Sequence, residues 1–93
     1  MSDDQTIIFS FYQKSNGLDC TILNLNTLSE QTIDQLSLFL LQRKGFWYPN
    51  NKKFFFRKKC DQSYLEKIFL YANIKVTIYN QETIENKSFT QLN

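Results

Sequence analysis

Thr6 to Tyr12 is apolar and β-branched at its start, Asp19 to Leu25 alternates between polar and apolar side chains, and Lys14-Ser15-Asn16-Gly17 separates them as a turn. The pair predicts a β-hairpin. Thr27-Leu28-Ser29-Glu30 then has the form of a capping box, in which the Thr27 hydroxyl accepts from a first-turn amide while Glu30 reaches back to the cap. A helix is predicted to begin near Leu28 and to stop at Gly45. Ile33, Leu36, Phe39 and Leu40 make its apolar stripe, but Leu38 and Leu41 lie off it, so the last two turns are apolar around much of their circumference. That second flank needs cover, either within the domain or from a second subunit, which makes Leu38 and Leu41 candidate contacts of a homodimer.

Phe46-Trp47-Tyr48 and Lys53 to Arg57 are strand-like runs around Tyr48-Pro49-Asn50-Asn51, where Pro presets φ at the second turn position and Asn suits the third. This predicts a second hairpin. Asp61 is placed to cap a helix from Gln62 to Ala72 with the stripe Tyr64, Leu65, Ile68, Phe69 and Ala72, and Asn73 suits a left-handed stop. Lys75 to Tyr79 alternates as a last strand. The chain is polar from Asn80 on, apart from a short strand expected at Glu82 to Ile84. The order ββαββαβ predicts one α+β domain, a largely antiparallel sheet with both helices on one face. Its ordered core is expected over about residues 6–80, followed by a polar tail over about 81–93.

Composition adds limits to this picture. A chain of 93 residues cannot bury enough surface for two cores, and its nine Phe, five Tyr and one Trp are expected to build the single core it has. Abundant Asn, Ile, Lys and Phe beside two Gly and one Pro imply short connections and fit an AT-rich coding sequence, as in a bacterium, phage or virus. Cys20 and Cys60 are too few for a disulfide scaffold and, with no His in the chain, cannot complete a zinc site. Reduced thiols, no metal and no cofactor are expected. No apolar stretch follows a basic start, and the run Leu38 to Leu41 is far too short for a bilayer, so a cytoplasmic protein without a membrane partner is expected.

Charge changes the picture more. The net charge is only +2, yet Arg43, Lys44, Lys52, Lys53, Arg57, Lys58 and Lys59 fall in one segment that holds no acid. The remaining four basic and nine acidic residues carry −5. A loop centred on Asn50-Asn51 would pair Tyr48 with Lys53, Trp47 with Phe54 and Phe46 with Phe55, and paired residues share a face of the sheet. One face is then Trp47, Phe54 and Phe56, wholly apolar and assigned to the core. The other is Phe46, Tyr48, Lys53, Phe55 and Arg57. Rings interleaved with cations suit single-stranded nucleic acid or RNA, because unstacked bases lie on rings while Lys and Arg neutralise phosphates. Those five residues are the candidate site, with Lys52, Lys58 and Lys59 supplying phosphate contacts. Tyr, Trp, Phe and Arg also dominate protein interface hot spots, so an acidic protein surface is the alternative partner. A third reading gives the cations a solubilising role only and the Phe run to the core.

From Lys44 to Val76 the series of glycine, aromatics, a Pro-Asn turn, lysines, aromatics and a helix resembles the compact hairpin-helix modules at the N-termini of some phage-type tyrosine recombinases. Catalytic chemistry is not expected. Cys60 follows Arg57-Lys58-Lys59 at a helix start, where cations and the helix dipole favour thiolate, but no His is present to act as its base. The simpler role is a hydrophobic staple packing on Leu65. Asp3, Asp4, Glu82 and Glu85 lie near the termini, and Gly17 and Gly45 stand alone, so neither a carboxylate pair nor a phosphate-binding loop is formed by spacing.

Overall fold

The computed structural model describes residues 5–81, and within them both hairpins and both helices are present in the order ββαββαβ. The strands are β1 (Thr6–Lys14), β2 (Gly17–Ile22), β3 (Phe46–Tyr48), β4 (Lys53–Phe56) and β5 (Lys75–Asn80). The helices are α1 (Glu30–Gln42) and α2 (Gln62–Tyr71). The expected strand at Glu82 to Ile84 lies outside the described residues.

The sheet runs β3-β4-β2-β1-β5, antiparallel at every pairing except β1 with β5, which is parallel. It is therefore a mixed sheet in which antiparallel pairs dominate. From these pairings β3 is parallel to β2, and β5 to β4, so each helix is the crossover of a β-α-β unit. The two crossovers travel in opposite directions across the sheet, from strands that are themselves antiparallel. A common hand, right-handed for nearly all such connections, then places both helices on the same face. That face is the core: Ile7, Phe9 and Phe11 of β1, Leu18, Cys20 and Ile22 of β2, and Phe54 and Phe56 of β4 are buried. Leu36, Phe39 and Leu40 of α1 and Leu65, Ile68 and Phe69 of α2 pack above them. Phe69 is the keystone, its ring 4.4 Å from Phe39, 5.4 Å from Phe9 and 6.3 Å from Phe54 between centroids. Losing such a buried ring costs about 3–5 kcal/mol.

The element ends differ from the sequence pattern in instructive ways. β2 stops at Ile22 rather than Leu25, because Asn24 takes over the ladder with its side chain: Oδ1 accepts from the Ile8 amide at 3.0 Å and Nδ2 donates to the Thr6 carbonyl at 2.8 Å. α1 begins at Glu30 and is capped by Ser29, not Thr27; the Thr32 amide donates to the Ser29 hydroxyl at 3.2 Å. Glu30 does not reach back. Gln5 performs that half of the box, its Oε1 accepting from the Ser29 amide at 2.7 Å. Both helices end with the paired backbone bonds of a Schellman turn, Gly45 to Leu40 and Ile74 to Phe69. Asn73 is left-handed as expected, whereas at α1 the left-handed residue is Lys44 (φ 59°) and Gly45 follows it. Asp61 caps α2 by accepting from the Tyr64 amide at 2.9 Å.

Candidate functional site

With both helices on one side, no helix among the described residues covers the second face of the sheet. Strand alternation fixes what it displays. The Ser15–Asn16 turn sets Lys14 against Gly17, which brings Tyr12 opposite Asp19; β4 adds Phe55 opposite Asp19, and β3 adds Phe46 opposite Phe55. One row across the open face is thus Phe46, Phe55, Asp19, Tyr12. The next is Tyr48, Lys53, Thr21, Ser10, Tyr79, continuing onto β5. The pairing of the second hairpin is the one its turn predicts, and Trp47, Phe54 and Phe56 face the core side.

Phe46 and Phe55 lie 6.4 Å apart between centroids, and the Arg57 guanidinium sits 5.0 Å from the centre of the Phe46 ring. Phe46 is 36% and Tyr48 49% exposed, while Phe55 is half-buried. The support under Phe55 is Gly17, whose φ of +152° disfavours any side chain; an added Cβ would stand 2.6 Å from the Phe55 ring and press on the Phe56 carbonyl. The ring therefore lies across a bare stretch of β2. Lys53 is not an isolated cation: its Nζ is 3.2 Å from Asp19 Oδ2, and Lys14 Nζ approaches the same oxygen at 3.5 Å. The three groups together carry one net positive charge. A shallow depression of about 340 Å³ lies here, edged by Tyr48, Lys53, Phe55 and Asp19.

The remaining cations divide. Lys52 is exposed and left-handed (φ 59°) at the end of the Pro49–Asn51 turn, and Lys59 is exposed beyond β4. Lys58 does not join the rings of the open face. It turns to α2, with Nζ 4.9 Å from the Tyr64 ring and 3.4 Å from its hydroxyl. Leu38 and Leu41 are 55% and 74% exposed on α1. Cys60 is half-buried against the core, and that burial outweighs Lys58 and raises its thiol above the ordinary range, opposite to thiolate activation. Cys20 is buried and raised further by the same cause.

Sequence reasoning did not place Tyr12, Tyr79, Asp19 or Gly17 in this site. Tyr12 was legible from the β1 alternation, in which Ile8, Ser10 and Tyr12 oppose the buried Ile7, Phe9 and Phe11. Asp19 joins the rings only because β4 docks on β2. Among the described residues no group of His, Cys, Asp and Glu is arranged to hold a metal ion, and no helix is long and apolar enough to cross a membrane. No family model matches the chain, nor does any curated protein or solved structure.

Proposed function

We propose that the protein is a small non-enzymatic binding module whose open sheet face takes single-stranded nucleic acid or an RNA loop. The observation that carries this reading is the Phe46–Phe55 pair with Arg57 over Phe46: one exposed and one half-buried ring, and a guanidinium that faces no carboxylate within ion-pair distance among the described residues. Bases lie on Phe46, Phe55 and Tyr48, and Arg57, Lys52 and Lys59 meet the backbone. A duplex suits this face less well, because its bases are already stacked and unavailable to the rings. Anisotropy of a labelled single-stranded oligonucleotide tests it. With three or four phosphate contacts at about 0.7 ions each, the logarithm of affinity should fall with the logarithm of salt at a slope of roughly −2 to −3. No binding at low salt, or affinity indifferent to salt, refutes the proposal. Lys53→Glu with Arg57→Glu should abolish binding while the fold survives.

The exposed pair Leu38 and Leu41 favours a second reading, a regulator or adaptor that docks an acidic protein surface through the same hairpin and dimerises through α1. Under it, solution mass doubles, Leu38→Lys with Leu41→Lys restores the monomer, and partners stay bound after nuclease treatment.

A further inference from the structure

The fold divides the basic segment between two sides of the sheet. Arg43, at the end of α1, and Lys58, after β4, lie with the helices and flank a cleft of about 380 Å³ that no part of the open-face reading uses. Its apolar lining is Phe56 and Ile68, each 5% exposed, and Tyr64 and Cys60 contribute further walls. Both cations are held against rings rather than acids: the Arg43 guanidinium lies 5.3 Å from the Phe39 centroid, and Lys58 spans the Tyr64 ring and hydroxyl. Among the described residues neither is within ion-pair distance of a carboxylate. The Cys60 thiol in the wall is kept protonated by burial, so it adds no opposing charge at neutral pH. A guanidinium stacked on a ring keeps its in-plane donors free, and an ammonium with one bond to a hydroxyl keeps two.

A lining that is polar and apolar in about equal parts, two cations without an ion-pair partner among the described residues, and a volume at the lower end of small-molecule sites define one kind of ligand. We infer that this cleft binds a small organic anion with a flat apolar body, for which a nucleoside monophosphate is the probe. Its ring system lies against Phe56 and Ile68, and its phosphate is clamped between Arg43 and Lys58. The inference is independent of the open face and can fail without it.

The test is a titration of the ¹⁵N-labelled protein with adenosine monophosphate, adenosine and inorganic phosphate in parallel, followed by amide shifts. The expected result is saturable shifts around Arg43, Lys58, Cys60 and Tyr64 with the monophosphate, at a dissociation constant of about 1 mM or lower. Adenosine and phosphate should each bind at least about tenfold more weakly, since each uses one half of the site. Arg43→Gln with Lys58→Gln should weaken the monophosphate about tenfold or more while oligonucleotide binding persists. If the double variant does not keep the dispersed spectrum of the fold, Lys58→Gln alone is measured, with a loss of about threefold or more expected. Absence of shifts overturns the inference, as do shifts confined to Phe46, Tyr48 and Phe55, phosphate binding as tightly as the monophosphate, or unchanged affinity in a folded variant.

Discussion

Asp19 is the acidic group on the open-face rows, and Asp19→Asn should raise affinity for single-stranded nucleic acid rather than lower it. Its carboxylate is shared by Lys14 and Lys53 at 3.5 and 3.2 Å, so the three side chains together present one net positive charge; the amide leaves two. Those lysine side chains are 49% and 41% exposed, and pairs so exposed contribute about 0.2–1 kcal/mol each. The substitution therefore costs at most about 2 kcal/mol, against a typical total of about 5–15, and the domain stays folded. One further cation available to phosphate steepens the salt slope by about 0.7, so between about 50 and 200 mM salt the variant loses roughly 2.5-fold more affinity than the parent. Anisotropy of a labelled single-stranded oligonucleotide across that range gives both quantities, with thermal melting as the control for folding. A folded Asp19→Asn protein that binds more weakly at the low-salt end, or whose slope is no steeper, refutes the placement of nucleic acid on this face.

Phe46→Ala and Phe55→Ala should each weaken the oligonucleotide by about 1–3 kcal/mol, the contribution of one stacked base, in the same anisotropy assay; an unchanged affinity would remove the rings from the site. Gly17→Ala should cost more than about 2 kcal/mol in denaturant unfolding, since it combines a positive φ with pressure on the Phe56 carbonyl and the Phe55 ring. Gly45→Ala, whose Cβ would meet the buried Phe56 and Leu40 side chains at 3.1–3.3 Å but without a positive φ, should cost less than Gly17→Ala, about 1–2 kcal/mol. Ser29→Ala should lower stability by about 1 kcal/mol and Thr27→Ala by less, which distinguishes the observed cap of α1 from the one its sequence suggests. Ser10→Ala should stabilise the fold by about 1 kcal/mol, because the Ser10 hydroxyl is buried with no hydrogen-bond partner among the described residues.

The features legible in advance are those set by local periodicity. A tight loop forces the register of its own hairpin, so turn chemistry at Pro49 to Asn51 was enough to separate Phe54 and Phe56 from Phe46, Tyr48 and Phe55. Strand order has no such local source: it depends on Phe54 and Phe56 docking beside Cys20 and Leu18, a contact between segments more than thirty residues apart. Asp19 enters the site through that docking alone. Lys58, expected as a phosphate contact beside the rings, turns to α2 for a related reason. It follows the end of β4, where alternation no longer constrains direction, and the helix after it supplies the Tyr64 ring that captures it. The α1 cap misled because Thr27 and Ser29 both fit the pattern, and only Gln5, distant in sequence, selects Ser29.

Crossovers of a single hand commit both helices to one face, and among the described residues no helix covers the other. A face meant for water alone can be built from residues such as Thr21 and Thr77, which the same sheet carries on β2 and β5. On β3 and β4 the outward positions are instead Phe46, Tyr48 and Phe55, large rings of which Phe46 and Tyr48 stay 36% and 49% exposed. Phe55 also depends on Gly17 at the start of β2, where the positive φ and the missing side chain leave room for the ring to lie down. A core shortage does not account for this arrangement, since Phe9, Phe54 and Phe69 already fill the helical side. Partly exposed rings, with Arg57 against Phe46 and two lysines held by one aspartate, are the arrangement on which the proposed stacking and phosphate contacts rest.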